Sequence, residues 1–217
     1  MTLWNVGPKA LRQMPREALG AFGLALRQHM AKECARQPAL LQAMSAVELT
    51  LALHRVFRAP YEPLLFEREA LALAHRLLTG HRPGFVSGAL PHPEDCFDES
   101  HGPQALARAM ALLKARKLSG HGGKVVVVLE EKRPVHKESF EVLSQAEAAS
   151  MPWVLVLVRL GEGEGVFLPQ EALAAFLGSL GFMLWPTLEA PPLEAMEAVL
   201  RQAKAAHKAV VVHMANL

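Results

Sequence analysis

KVVVVLEEKRPVHKESFEVLSQA, Lys124 to Ala146, decides the fold. Four valines and a leucine run without a break, and polar residues follow. A continuous β-branched run reads as a strand buried on both faces, the signature of a parallel sheet. Pro134 suits the first turn of a helix, where its missing N–H has no partner to lose. Val135, Ser139, Val142, Leu143 and Ala146 then share one helical face. The strand end at Leu129 and the turn Glu130-Glu131-Lys132-Arg133 therefore stand where an open α/β sheet places its ligand.

Working outward, Trp153 to Val158 is a second buried strand, and Gly161 to Gly165 a flexible connection. Its glutamates would repel a phosphate. A helix over Pro169–Leu180, a short strand at Phe182–Trp185, a helix over Pro192–Ala206 and a strand at Ala209–His213 complete the pattern. Upstream, Pro103 to Lys117 reads as a helix with Leu106, Met110, Leu113 and Lys117 on one face and Gly120 as its stop. Leu64-Leu65-Phe66 is open between a short strand and the start of the Ala70–Leu78 helix, which Gly80 ends. Residues 81–102 are rich in Pro, Gly, Asp and His, an irregular segment of the kind that carries function. Helices over Pro15–Ala35 and Ser45–Phe57 open the chain. Ser45 and Glu48 have capping-box spacing, and Val47, Leu51, His54 and Val56 form an apolar face. His54 is expected to be buried and hydrogen-bonded.

Strands alternating with helices predict an α/β, doubly wound, mostly parallel sheet. The 217 residues are read as one domain, with residues 1–60 a helical extension packed on it. The composition is 51% hydrophobic and 20% charged, which is globular. A net charge of +2 without a basic run argues against nucleic acid as the partner. Two cysteines, Cys34 and Cys96, make no disulfide framework and point to the cytoplasm. No stretch is long and apolar enough for a membrane span. Trp4, Trp153 and Trp185 are dispersed and read as packing residues.

The chain also resembles a known family: the N-terminal, diphosphate-binding domain of 1-deoxy-D-xylulose-5-phosphate synthase, among the transketolase-like thiamine-diphosphate enzymes. SAVELTLALHRVFRAP is similar to the family's "G-x-VELT-x-ALH-x-VF-x-x-P". LLFEREALALAHRLLTGHR resembles "L-I-W-D-x-GHQ-A-Y-x-HK-x-LTGR", SHGPQALARA resembles "GHSS-T-S-I-S-x-A", FEVLSQA resembles "FEALN-x-A", and SLGFMLWPTLEAPP resembles "ELGF-x-Y-x-GP-x-DGHD". The resemblance implies the thiamine-diphosphate-binding fold and use in pairs. It also implies a G-D-G at the end of the central strand, whose glycines admit the diphosphate and whose Asp binds Mg²⁺. Here those positions are Glu130, Glu131 and Lys132. Leu160 stands for the family's second metal ligand, an Asn. Ala70 and Ala39 stand for two histidines, and only His101 survives from "GHSS".

A diphosphate without its metal would face Glu130 and Glu131. Two like charges ~4 Å apart cost about 4 kcal/mol at an effective dielectric of ~20, roughly three decades in affinity, and Lys132 and Arg133 could offset that only at a different geometry. The expectation is a degenerate domain without catalytic residues and without a cofactor, acting as an interaction or regulatory module. An exposed apolar patch beside the site would support that role. Its partner would be a second copy or a related thiamine-diphosphate-domain protein, with no nucleic acid and no membrane. The alternative is one subunit of a split synthase that uses thiamine diphosphate and Mg²⁺ and needs a partner chain. His101, Glu131, Lys132 and Arg133 are the candidate residual cofactor or anion residues, with Lys137 in support; a charged surface turn, with Lys132, Arg133 and Lys137 salted by Glu130, Glu131 and Glu138, is the simpler reading. His92, Cys96, Asp98 and His101 could ligate zinc, but their spacing fits no standard site, and a solvated loop is the plainer account.

Overall fold

A computed structural model describes residues 6–34, 44–79, 104–130, 141–145, 147–160 and 170–217. The chain runs α1 (Pro8–Gln13), α2 (Arg16–Cys34), α3 (Val47–Val56), β1 (Leu64–Phe66), α4 (Glu69–Leu78), α5 (Ala105–Ser119) and β2 (Val125–Glu130). It continues with β3 (Trp153–Arg159), α6 (Gln170–Ser179), β4 (Met183–Leu184), β5 (Leu188–Glu189), α7 (Leu193–Ala205) and β6 (Val210–Ala215). One sheet has the order β1-β2-β3-β6-β4, with β5 also on β6. Every pairing is parallel. The architecture is thus the doubly wound α/β sheet predicted from the valine run.

Strand periodicity builds two cores at once. Val126, Val128, Val154, Val156, Val158, Val210 and Val212 point into one, against α3 and α7. Val125, Val127, Leu129, Trp153, Leu155, Leu157 and Val211 point into the other, against α5 and α6. A third apolar layer lies outside α3, where Leu11, Leu19, Phe22, Leu26 and Met30 of α1 and α2 meet Val47, Leu51, Leu73 and Leu77. α3 is therefore covered on both sides, and eight of its ten residues are buried. His54 sits there as expected: its Nε2 lies 2.8 Å from His75 Nδ1, with the rings stacked at 4.9 Å. Trp153 is fully buried, its indole N–H donating to Ala148 O at 3.0 Å.

Several expectations change. Ser45 does not cap α3: residues 44–46 form a 3-10 turn, the N-cap is Ala46 without a side-chain bond, and Glu48 pairs with Arg27 instead. Lys117 leaves the buried face of α5, whose core residues are Ala105, Leu106, Ala109, Met110 and Leu113. Leu64–Phe66 is a strand, buried at all three residues. β2 runs one residue further than read, through Glu130. The short strand over Phe182–Trp185 narrows to β4, and α1 and β5 are additional elements. Residues 141–143 are helical with Val142 and Leu143 buried, in keeping with the helix read after β2. Gly80, the irregular stretch 81–102, Pro103, Pro134, the 161–165 connection and Trp4 lie outside the described residues, as does the side chain of Cys34. No helix among the described residues is long and apolar enough to cross a membrane.

Candidate functional site

Adjacent strands whose outgoing chains diverge to opposite faces open a crevice at their carboxyl ends. β1 and β2 do this. β1 leads into α4, whose Leu71 and Ala72 join the core on the α3–α7 side. β2 leads toward Val142 and Leu143, which join the core on the α5 side. The residues at that divergence are Glu67 and Arg68 after β1 and Glu130 ending β2. The Glu67 N–H donates to Val128 O at 2.9 Å, extending the ladder past β1. The Glu130 N–H donates to Glu67 Oε2 at 3.3 Å. Arg68 is the N-cap of α4 through its backbone, and its side chain is not used for capping. That side chain reaches across the crevice, where Arg68 Nη1 donates to Glu130 Oε2.

The pair is asymmetric. The Glu130 side chain is 2% exposed and that of Arg68 34%. Glu130 Oε1 is buried without a hydrogen-bond partner. A buried carboxylate is tolerated only when paired, and Arg68 is the partner that offsets the burial of Glu130. Along the same edge of the sheet, Arg159 Nη2 donates to Glu189 Oε1 at 3.2 Å, and Asn216 Nδ2 donates to Glu189 Oε2 at 2.8 Å. Leu160, just after β3, is 5% exposed and packs in the core with Val158 and Met214. Ala70 packs against the outer apolar layer.

His101, Glu131, Lys132 and Arg133 lie outside the described residues, as do Lys137, Glu138, Ala39 and the set His92, Cys96, Asp98 and His101. Among the described residues no group of three His, Cys, Asp or Glu side chains could hold a metal. The exposed large apolar residues among them are Leu24, Tyr61, Leu118, Met183 and Leu184. None lies at the β1–β2 crevice. Sequence reasoning missed Arg68 and Glu67. The signal was present: once Leu64-Leu65-Phe66 is taken as a strand, Glu67-Arg68 is its exit, beside Glu130 at the end of β2.

With this geometry in place, a family model described as 1-deoxy-D-xylulose-5-phosphate synthase matches residues 5–159. The chain belongs to the 1-deoxy-D-xylulose-5-phosphate synthase family. A synthase of this name from Myxococcus xanthus is 34% identical over 230 residues, covering 97% of this chain and 39% of the relative. A second, from Geobacter sulfurreducens, is 33% identical over 162 residues, covering 69% of this chain and 26% of the relative. The chain thus spans less than half the length of these synthases. An X-ray structure from Mycobacterium smegmatis, assigned as a thiamin diphosphate-dependent enzyme, superposes with a TM-score of 0.55 at 16% identity, over 80% of this chain and 32% of the other. That likeness concerns the fold alone.

The described residues do not fit the coenzyme and magnesium of a synthase. A magnesium diphosphate needs oxygen ligands and close backbone approach at the strand ends. The end of β2 instead carries Glu130, buried and already claimed by Arg68. The position after β3 offers the aliphatic side chain of Leu160, turned into the core.

Proposed function

We propose that this chain is a 1-deoxy-D-xylulose-5-phosphate synthase-like domain that does not perform thiamine-diphosphate catalysis and works as an interaction or regulatory module. The observation that carries this reading is the β1–β2 crevice, closed by the Arg68–Glu130 pair beside an orphaned buried carboxylate oxygen. A diphosphate brought there finds the Arg68 cation already engaged by Glu130, so binding would first have to break that ion pair and leave the buried carboxylate uncompensated.

Isothermal calorimetry with thiamine diphosphate and Mg²⁺ tests the reading. No binding is expected at millimolar coenzyme, and a micromolar dissociation constant would overturn it. The module role calls for a partner, either a second copy of this chain or a related thiamine-diphosphate-domain protein. Light scattering giving a strict monomer, together with no complex on mixing with such a protein, counts against that role.

A second reading is a subunit of a split synthase. It is favoured by similarity to the Myxococcus xanthus enzyme along 97% of this chain. In that case a partner chain supplies the groups this one lacks, with thiamine diphosphate and Mg²⁺ held between them. Carboligation of pyruvate with glyceraldehyde 3-phosphate by the mixed chains, and by neither alone, would replace the first reading with the second.

A further inference from the structure

A guanidinium makes the same demand of a carboxylate and of a phosphate: oxygens in the plane of its N–H fork. At the β1–β2 crevice the oxygens come from the chain itself. Arg68, the N-cap of α4, crosses to β2 and donates to Glu130 Oε2. Glu130 presents nothing to solvent, and its other oxygen lacks any partner. A carboxylate retained only for stability would be expected to have both oxygens satisfied. This one sits where the chains leaving two adjacent strands diverge, and among the described residues Arg68, partly exposed, is the cation that holds it there.

We propose that Glu130 is a built-in anion, occupying on Arg68 the position of an exogenous phosphate-class ligand, so that the crevice is a small-anion site closed by its own chain. The proposal rests on the reading of the crevice given above, and adds that the site is occluded rather than dismantled. Glu130 is tethered within reach of Arg68, so its effective concentration is on the order of millimolar or higher. Free phosphate or pyrophosphate at lower concentration cannot compete. Removing the carboxylate leaves Arg68, 34% exposed, able to take an anion from solution.

The test compares the wild-type chain with E130Q, which keeps the shape and removes the charge, and with E130G, which also opens space at the strand end. Pyrophosphate without metal is titrated by calorimetry and by thermal shift. Both variants are expected to bind it at least about tenfold more tightly than wild type, with a saturable rise in melting temperature, and the double variant R68M/E130Q is expected to lose the gain. Should either variant fold poorly, recovery of folded protein on refolding with pyrophosphate is the readout, and wild type should show no such dependence. Equal binding by wild type and variants overturns the proposal. So does absence of a gain in both variants, or a gain that survives loss of Arg68. Thiamine diphosphate with Mg²⁺ on the wild-type chain is run in parallel. Binding there would strike the proposed function, whereas a null pyrophosphate result in the variants strikes only this inference.

Discussion

Lys124 stands one residue before β2, at the amino end of the sheet, and is 5% exposed. Its ammonium donates to Ala206 O and, at 3.5 Å, to Lys208 O. Burial pushes its pKa below the ordinary lysine value, and the nearby Glu62 carboxylate opposes the shift. Below the lowered pKa the folded and unfolded states are both protonated there. Between that value and the ordinary lysine value of 10.5, the unfolded chain holds the proton and the folded chain does not. Stability contributed by this residue therefore rises with pH across that window. Urea unfolding from pH 7 to pH 10.5 should show wild type gaining on K124M as the pH rises; a flat or falling difference would refute this. Arg68 is the second residue to probe. R68M leaves Glu130 buried without its cation, which should cost about 2–4 kcal/mol, a range kept below that of a fully buried pair because Arg68 is partly exposed. An unchanged urea midpoint for R68M would mean that Glu130 is not held by that ion pair.

At the scale of elements, caps separate what the sequence announced from what packing decided. Gly120 was legible as the stop of α5 because only glycine enters the left-handed region cheaply. It does so at φ 70°, its N–H donating to Arg116 O. An added Cβ meets nothing within 4 Å, so G120A should cost about 1 kcal/mol from backbone strain alone, read as a shift in the urea midpoint. Ser45 was misleading. Its spacing to Glu48 matched a capping box, but Glu48 bonds Arg27 of α2, so S45A should change stability by less than about 0.5 kcal/mol. β2 and β3 were readable from their valines because both faces are buried. β1 was ambiguous because three apolar residues fit either period. β5 had no signal, since two residues separated from β4 by Pro186 pair only because β6 is there to receive them. Arg68 escaped for the same reason as β1: the strand had to be recognised before its exit could be. His101 and Glu131 to Arg133 fall outside the described residues.

For the molecule as a whole, the issue is whether α1 and α2 belong to the sheet domain or stand apart from it. Their apolar face has one outlet, the outer side of α3 and α4, where Leu11, Leu19, Phe22, Leu26 and Met30 pack. Gly23 lets the helices approach closely: a Cβ there would stand 3.3 Å from Leu51 Cδ1. Arg55 ties the layers together. Its Nη1 donates to Leu11 O and Met14 O, both at 2.9 Å, while its Nε bonds Glu197 of α7. One side chain on α3 thus joins α1 to the helix layer that covers the sheet. Removing α1 and α2 would expose Val47, Leu51, Leu73 and Leu77 together, at about 1.5–3 kcal/mol for each side chain left in water. That sum is comparable to the whole stability of a domain of this size. The extension and the sheet should therefore melt as one unit. Scanning calorimetry is expected to give a single transition whose calorimetric and van't Hoff enthalpies agree. R55M should lower that transition without splitting it, because Arg201 still accompanies Glu197 while the α1 carbonyls lose their donor. An earlier, separate transition, present in wild type or produced by R55M, would make α1 and α2 an independent unit and remove the physical basis for treating the chain as one domain.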